Sequence, residues 1–97
     1  MSLSFEWDTE KAKANFKKHG VLFKDAVTVF ADTLSITILE PAPASDEARF
    51  ITMGRSAEGK FLVVVHAERG DNIRIVSARE ATRSERRQHE EGHKKTR

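Results

Sequence analysis

Phe61-Leu62-Val63-Val64-Val65-His66-Ala67-Glu68-Arg69-Gly70-Asp71-Asn72-Ile73-Arg74-Ile75-Val76-Ser77-Ala78-Arg79 is the stretch whose reading decides the fold. Its first five residues are apolar and mostly β-branched, a run that suits a strand buried on both faces and predicts a central position in a sheet. Arg69-Gly70-Asp71 is a tight turn signal. After it Ile73, Ile75, Ser77 and Arg79 point one way and Arg74, Val76 and Ala78 the other, the period of a second strand. Upstream, residues 49–56 form another strand, joined to the first by the hairpin turn Ala57-Glu58-Gly59-Lys60. Three antiparallel strands in a meander result.

Working outward toward the N-terminus, Leu34-Ser35-Ile36-Thr37-Ile38-Leu39 has strand character, and Pro41 and Pro43 place a loop between it and the meander. Ahead of it Phe23, Ala26, Val27 and Phe30 recur at i, i+3, i+4 and i+7, one buried helical face. A first helix is expected over residues 9–19, opened by the side-chain oxygen of Asp8 and closed by a left-handed Gly20, with Ala12 and Phe16 facing inward. Phe5-Glu6-Trp7 reads as a short strand or an extended lead-in. Toward the C-terminus, Thr82 and Glu85 stand at capping-box spacing and start a third helix near Arg83. That helix has no large apolar residue, so it is either a surface for a partner or ligand or a solvated tail, with Arg86–Glu90 and Arg87–Glu91 as i,i+4 ion pairs. The expected class is α+β: two N-terminal helices packed on an antiparallel sheet of about four strands, plus a polar C-terminal helix.

With 97 residues the chain makes one domain, residues 1–97, with residues 1–4 and 92–97 expected as flexible ends. At 38% hydrophobic and 33% charged residues it is globular in composition. It has no cysteine, which excludes disulfides, thiolate metal sites and cysteine nucleophiles. The apolar run at 61–65 is far short of the roughly 20 residues of a membrane-spanning helix, and no secretion signal opens the chain, so a cytoplasmic protein with no membrane contact is expected. Charge is asymmetric. Residues 1–48 carry five Lys/Arg against eight Asp/Glu (−3), residues 49–97 twelve against seven (+5), and all nine arginines lie in the second half. Arginine makes forked contacts with phosphate and carboxylate, so this half suits a nucleic acid or an acidic protein segment.

The letters His89-Glu90-Glu91-Gly92-His93 match the zinc-protease pattern H-E-x-x-H. The match is set aside: Gly92 weakens the helix that must align both rings, no third ligand follows, and no metal or cofactor is expected. Ser-His-Asp spacing, P-loop and G-x-G-x-x-G are absent, which removes support for acyl transfer and nucleotide hydrolysis. Arg79, Arg83, Arg86 and Arg87 advance across the last strand-to-helix junction, where helix amides and guanidinium groups make an anion site; the alternative is a solvated charged face. His66 closes its strand as a core residue or as a proton carrier. Lys18 and His19 sit favourably at the negative end of the first helix, and Arg55 ends its strand before the hairpin.

Taken jointly, Phe5-Glu6-Trp7-Asp8, Lys11, Asn15, Lys18-His19-Gly20-Val21, Phe23, Ala26, Val29-Phe30-Ala31-Asp32, Arg49-Phe50, Gly54-Arg55-Ser56, Leu62 to His66, Glu68-Arg69-Gly70-Asp71 and Ile73 to Arg79 with Ala81, Thr82, Arg83 and Glu85 resemble the BrnT family over residues 5–91. His89 departs from it, standing where many relatives place Tyr. The resemblance implies a bacterial toxin of a type II toxin–antitoxin pair: a RelE-like, metal-independent endoribonuclease that inhibits translation. It also implies neutralisation by a ribbon-helix-helix, DNA-binding, BrnA-like antitoxin, with assembly into a higher-order complex. Under it Arg79, Arg83, His66, Glu85 and His89 are the candidate catalytic residues, and Arg55, Lys18, His19, Arg69, Arg86 and Arg87 the candidate RNA-binding ones. A non-catalytic basic module that docks an acidic protein segment or nucleic acid is the alternative.

Overall fold

Asp8 opens the first helix as its chemistry requires: its Oδ1 accepts from the amides of Glu10 at 2.8 Å and Lys11 at 3.2 Å. Gly20 closes the helix at φ 71°, its N–H donating to the carbonyl of Phe16. The computed structural model describes residues 4–41 and 47–95, with side chains through residue 91. In order they form β1 (Ser4–Glu6), α1 (Thr9–His19), α2 (Phe23–Ala26) running into a 3₁₀ turn (Val27–Ala31), β2 (Ile36–Leu39), β3 (Arg49–Arg55), β4 (Phe61–Arg69), β5 (Asn72–Glu80) and α3 (Arg83–Lys95). No helix among the described residues is long and apolar enough to cross a membrane.

The α+β class and the three-strand meander are as expected, but the sheet has five strands in the order β1-β5-β4-β3-β2, and it is mixed. β1 is a full edge strand, parallel to β5, with Phe5 opposite Ile73. Three residues carry too little pattern to announce a partner almost the whole chain away. Polar side chains hold the pair: Glu6 accepts from the Asn72 amide at 3.0 Å and from Arg74 at 2.9 Å. β4 is central, as its apolar run predicts, but its pairing with β5 passes over Val76 between Val65–Ser77 and His66–Ile75, so the alternation expected from Ile73 to Arg79 breaks there and Ile75 and Ala78 are buried in the same core.

Two local expectations are corrected. The second helix tightens to 3₁₀ after Ala26, where β-branched Val27, Thr28 and Val29 follow one another and the Thr28 hydroxyl donates to the Asp25 carbonyl at 2.6 Å. Phe16 is half exposed, and Asn15 takes the inward place on α1. Its side chain donates to the carbonyls of Val21 (3.0 Å) and Ala78 (2.9 Å) and accepts from the Ala78 amide (3.1 Å), tying α1 to β5.

α1, α2 and the 3₁₀ turn cover one face of the sheet, burying Val21, Phe23, Ala26, Val29, Leu62, Val64, Ile75 and Ala78. α3 returns against the start of β4 on the other face. The Arg86–Glu90 and Arg87–Glu91 pairs are not formed among the described residues; the α3 anchors lie elsewhere. Of the ends expected to be flexible, Ser4 pairs with Asn72 and residues 92–95 continue α3. Residues 1–3 and 96–97, Pro43 of the expected loop and the His93 side chain lie outside the described residues.

Candidate functional site

β5 passes into α3 through Ala81, whose amide donates to the Phe61 carbonyl, so the junction is pinned to the start of β4. The capping box forms as its spacing dictates: the Glu85 amide donates to the Thr82 hydroxyl at 3.1 Å, and Glu85 Oε1 accepts from the Thr82 amide at 2.8 Å. The same carboxylate receives both terminal nitrogens of Arg79, each at 2.8 Å, a forked ion pair across the strand-to-helix bend. The Arg79 guanidinium foremost, then the Thr82 amide, pull the Glu85 carboxyl down to about 2 against the opposing effect of burial. Glu85 is therefore an ionised clamp at neutral pH, which suits positioning and not proton transfer.

A helix turns about 100° per residue, so the α3 positions facing the sheet and those facing away alternate in a known way. Glu85 and His89 face the sheet, whereas Arg83, Arg86 and Arg87, with Ala81 and Glu90, line a concavity of about 330 Å³ on the outer side. Arg79 does not line it. The structure thus brings Arg83, Arg86 and Arg87 together and holds Arg79 at the base of the same helix turn, on its other side, with 42% of its side chain exposed.

Arg86 also reaches Phe61, its guanidinium 5.6 Å from the ring centroid, with Arg55 at 5.8 Å from the same ring. His89 meets Phe61 edge-on at 4.9 Å, is buried, and its Nε2 donates to the Leu34 carbonyl at 2.7 Å. Asp32 completes this side. Its carboxylate accepts from the Arg55 amide at 2.8 Å and from the Leu34 amide at 3.0 Å, and those bonds, the Arg55 amide first, hold its titration below the usual carboxylate range.

The other candidate residues are placed elsewhere. His66 is 5% exposed on the face covered by the helices, between the rings of Phe30 (4.8 Å) and Phe50 (5.9 Å), its Nε2 2.7 Å from the Thr52 hydroxyl. Burial lowers its titration to about 4, so it is a neutral core residue at pH 7, on the opposite face of the sheet from Arg79. Arg69 ends β4, about 25 Å of strand away from Phe61, and pairs with Glu47 at 3.0 Å. Lys18 and His19 lie in the last turn of α1, in the helical layer.

Phe61, Asp32 and the Leu34 carbonyl escaped the sequence reading. Phe61 carried the one available signal, an aromatic opening an apolar strand directly opposite Arg55, but its register with Arg55 exists only once the hairpin is paired. Among the described residues no group of three His, Cys, Asp or Glu side chains is placed to hold a metal ion.

The family model for the ribonuclease toxin BrnT of type II toxin–antitoxin systems matches residues 7–85. Among solved structures, the ribonuclease toxin BrnT of Brucella abortus matches with a TM-score of 0.62 at 21% sequence identity, over 84% of this chain and 100% of that one. At that identity the likeness is one of fold. No match is found among curated proteins.

Proposed function

From the premise that the chain belongs to the BrnT family of ribonuclease toxins of type II toxin–antitoxin systems, we propose that it is a metal-independent, RelE-type endoribonuclease of the bacterial cytoplasm that inhibits translation by cutting RNA. Its neutralising partner is a ribbon-helix-helix, BrnA-like antitoxin. The observation that carries the reading is the gathering of Arg83, Arg86 and Arg87 around one concavity at the start of α3, with Arg79 clamped by Glu85 on the other side of the same helix turn.

In the reaction the ribose 2′-oxygen attacks the adjacent phosphorus, the bond to the 5′-oxygen breaks, and a 2′,3′-cyclic phosphate and a 5′-hydroxyl result. The 2′-hydroxyl proton leaves to a base and the departing 5′-oxygen gains one, so no net proton is consumed. Guanidinium groups held before the substrate arrives stabilise the extra negative charge of the phosphorane, the kind of preorganised electrostatic help that contributes most to such steps. Arg83, Arg86 and Arg87 hold the phosphate, and Arg79, fixed by Glu85, presents its solvent-facing donors to the same backbone. Buried His89 aligns α3 through Leu34 and Phe61, and Arg55 extends the basic surface along the RNA.

Purified protein freed of antitoxin and offered RNA tests this. Cleavage that survives a chelator and falls by at least about tenfold, the cost of roughly 1.4 kcal/mol, in Arg79→Ala and in Arg83→Ala supports it. Intact RNA with undiminished antitoxin binding refutes it in favour of a non-catalytic basic docking module.

A further inference from the structure

A second surface, away from the arginines, is built for a ligand of different chemistry. Trp7, Ala12, Phe16, Leu22 and Phe23 line a groove of about 370 Å³ between the N-terminal segment, α1 and α2, with Lys13 and Lys24 at its rim. Phe16 and Leu22 are each 50% exposed and Trp7 36%, although all three are apolar and Trp7 is fixed edge-on against buried Phe23 at 6.1 Å. Grouped apolar exposure of this kind marks a contact surface. Of the five lysines on α1 and α2, Lys13 and Lys24 line this groove. Of the acidic side chains on those elements, Asp25 is buried and Glu10 is engaged with Lys13 at 3.6 Å.

We propose that this groove takes an acidic amphipathic segment of a partner protein: its apolar side chains seat between Trp7, Phe16 and Leu22, and its carboxylates face the lysines. Charge decides among the occupants. A second copy of the chain joined by a two-fold axis would bring Lys13 and Lys24 against the same two lysines, like charge on like. RNA would satisfy the lysines but leave the aliphatic floor of Ala12 and Leu22 unmatched. The arginine concavity plays no part in this inference, so it stands or falls independently of RNA cleavage.

The sole tryptophan lines the groove, so its emission reports occupancy. The probe is a synthetic tryptophan-free helical peptide with leucines at i, i+3, i+4 and i+7 and glutamates elsewhere, titrated into the full chain at low salt. The expected result is a saturable blue shift that weakens as salt rises. Binding should weaken by about tenfold or more in Phe16→Ser, as for an interface anchor, and several-fold in Lys13→Glu/Lys24→Glu. Both variants change exposed side chains, and an unchanged Tm and far-UV spectrum verifies that they fold. No saturable shift, or equal binding of a peptide with lysines in place of the glutamates, overturns the proposal. So does a blue shift that grows with protein concentration alone and accompanies dimer in sedimentation, which makes the occupant a second copy. A shift produced by single-stranded RNA and unaffected by Phe16→Ser overturns it in favour of nucleic acid.

Discussion

Glu85→Gln should loosen α3 by a pH-dependent amount that the geometry fixes in advance. The carboxylate takes two 2.8 Å bonds from Arg79 and one from the Thr82 amide, and together they draw its titration from 4.5 to about 2. That difference corresponds to about 3 kcal/mol at roughly 1.4 kcal/mol per pH unit, but the Arg79 side chain is 42% exposed, and solvent screening reduces the contribution to about 1–2 kcal/mol. For a domain of this size the variant should melt roughly 4–16 °C lower at pH 7. Because the folded carboxyl is depressed below its unfolded value, the stabilisation is fully present above pH 4.5 and disappears as pH falls toward 2. Thermal unfolding of the parent chain, Glu85→Gln, Arg79→Gln and the double variant at pH 7 and pH 2.5 isolates the pair, since a double-mutant cycle cancels what each change does alone. A coupling below about 0.5 kcal/mol at pH 7, or one undiminished in acid, refutes the reasoning, because exposed ion pairs with no special geometry reach only that range.

His66, whose titration burial lowers from 6.5 to about 4, contributes stability that is present above pH 6.5 and is lost as pH falls to 4. Replacing it in His66→Leu should flatten the unfolding-versus-pH curve between those values while leaving RNA cleavage at the parent rate, measured on the same preparation. Gly54→Ala adds a Cβ 2.9 Å from Asp32 Oδ2 and from Ser35 Cβ, and 3.1 Å from Val29 Cγ1. Chemical denaturation should register a loss of about 1–3 kcal/mol, the usual cost of overpacking. Arg69→Ala removes a cation that sits at the far end of β4 on Glu47, so cleavage should be unchanged within about twofold, whereas Arg83→Ala in the same assay should lower it strongly.

Local chemistry was legible wherever a residue acts on its neighbours in the chain. Asp8, Gly20, the Thr82–Glu85 box and the central run at 61–65 all act over a few residues, and each is found where its pattern places it. The resemblance to the BrnT family was likewise legible, because it rests on residue identities that do not change on folding. The arginine-rich half was visible as composition, and its gathering at the start of α3 follows from helical spacing alone.

What tertiary structure decided is which groups meet across long separations. Whether Phe5 and its neighbours make a fifth strand depends on β5, more than sixty residues later. Whether Ala12 is followed inward by Asn15 or Phe16 depends on a carbonyl and an amide that Ala78 presents. His66 became a core residue because Phe30 and Phe50 close around it, and Arg79 took Glu85 as its partner because the bend at Ala81 points the two at each other. Burial and ion pairing are properties of assembled surroundings: one sequence pattern is compatible with several of them, and packing selects the one that leaves the fewest polar groups unmatched.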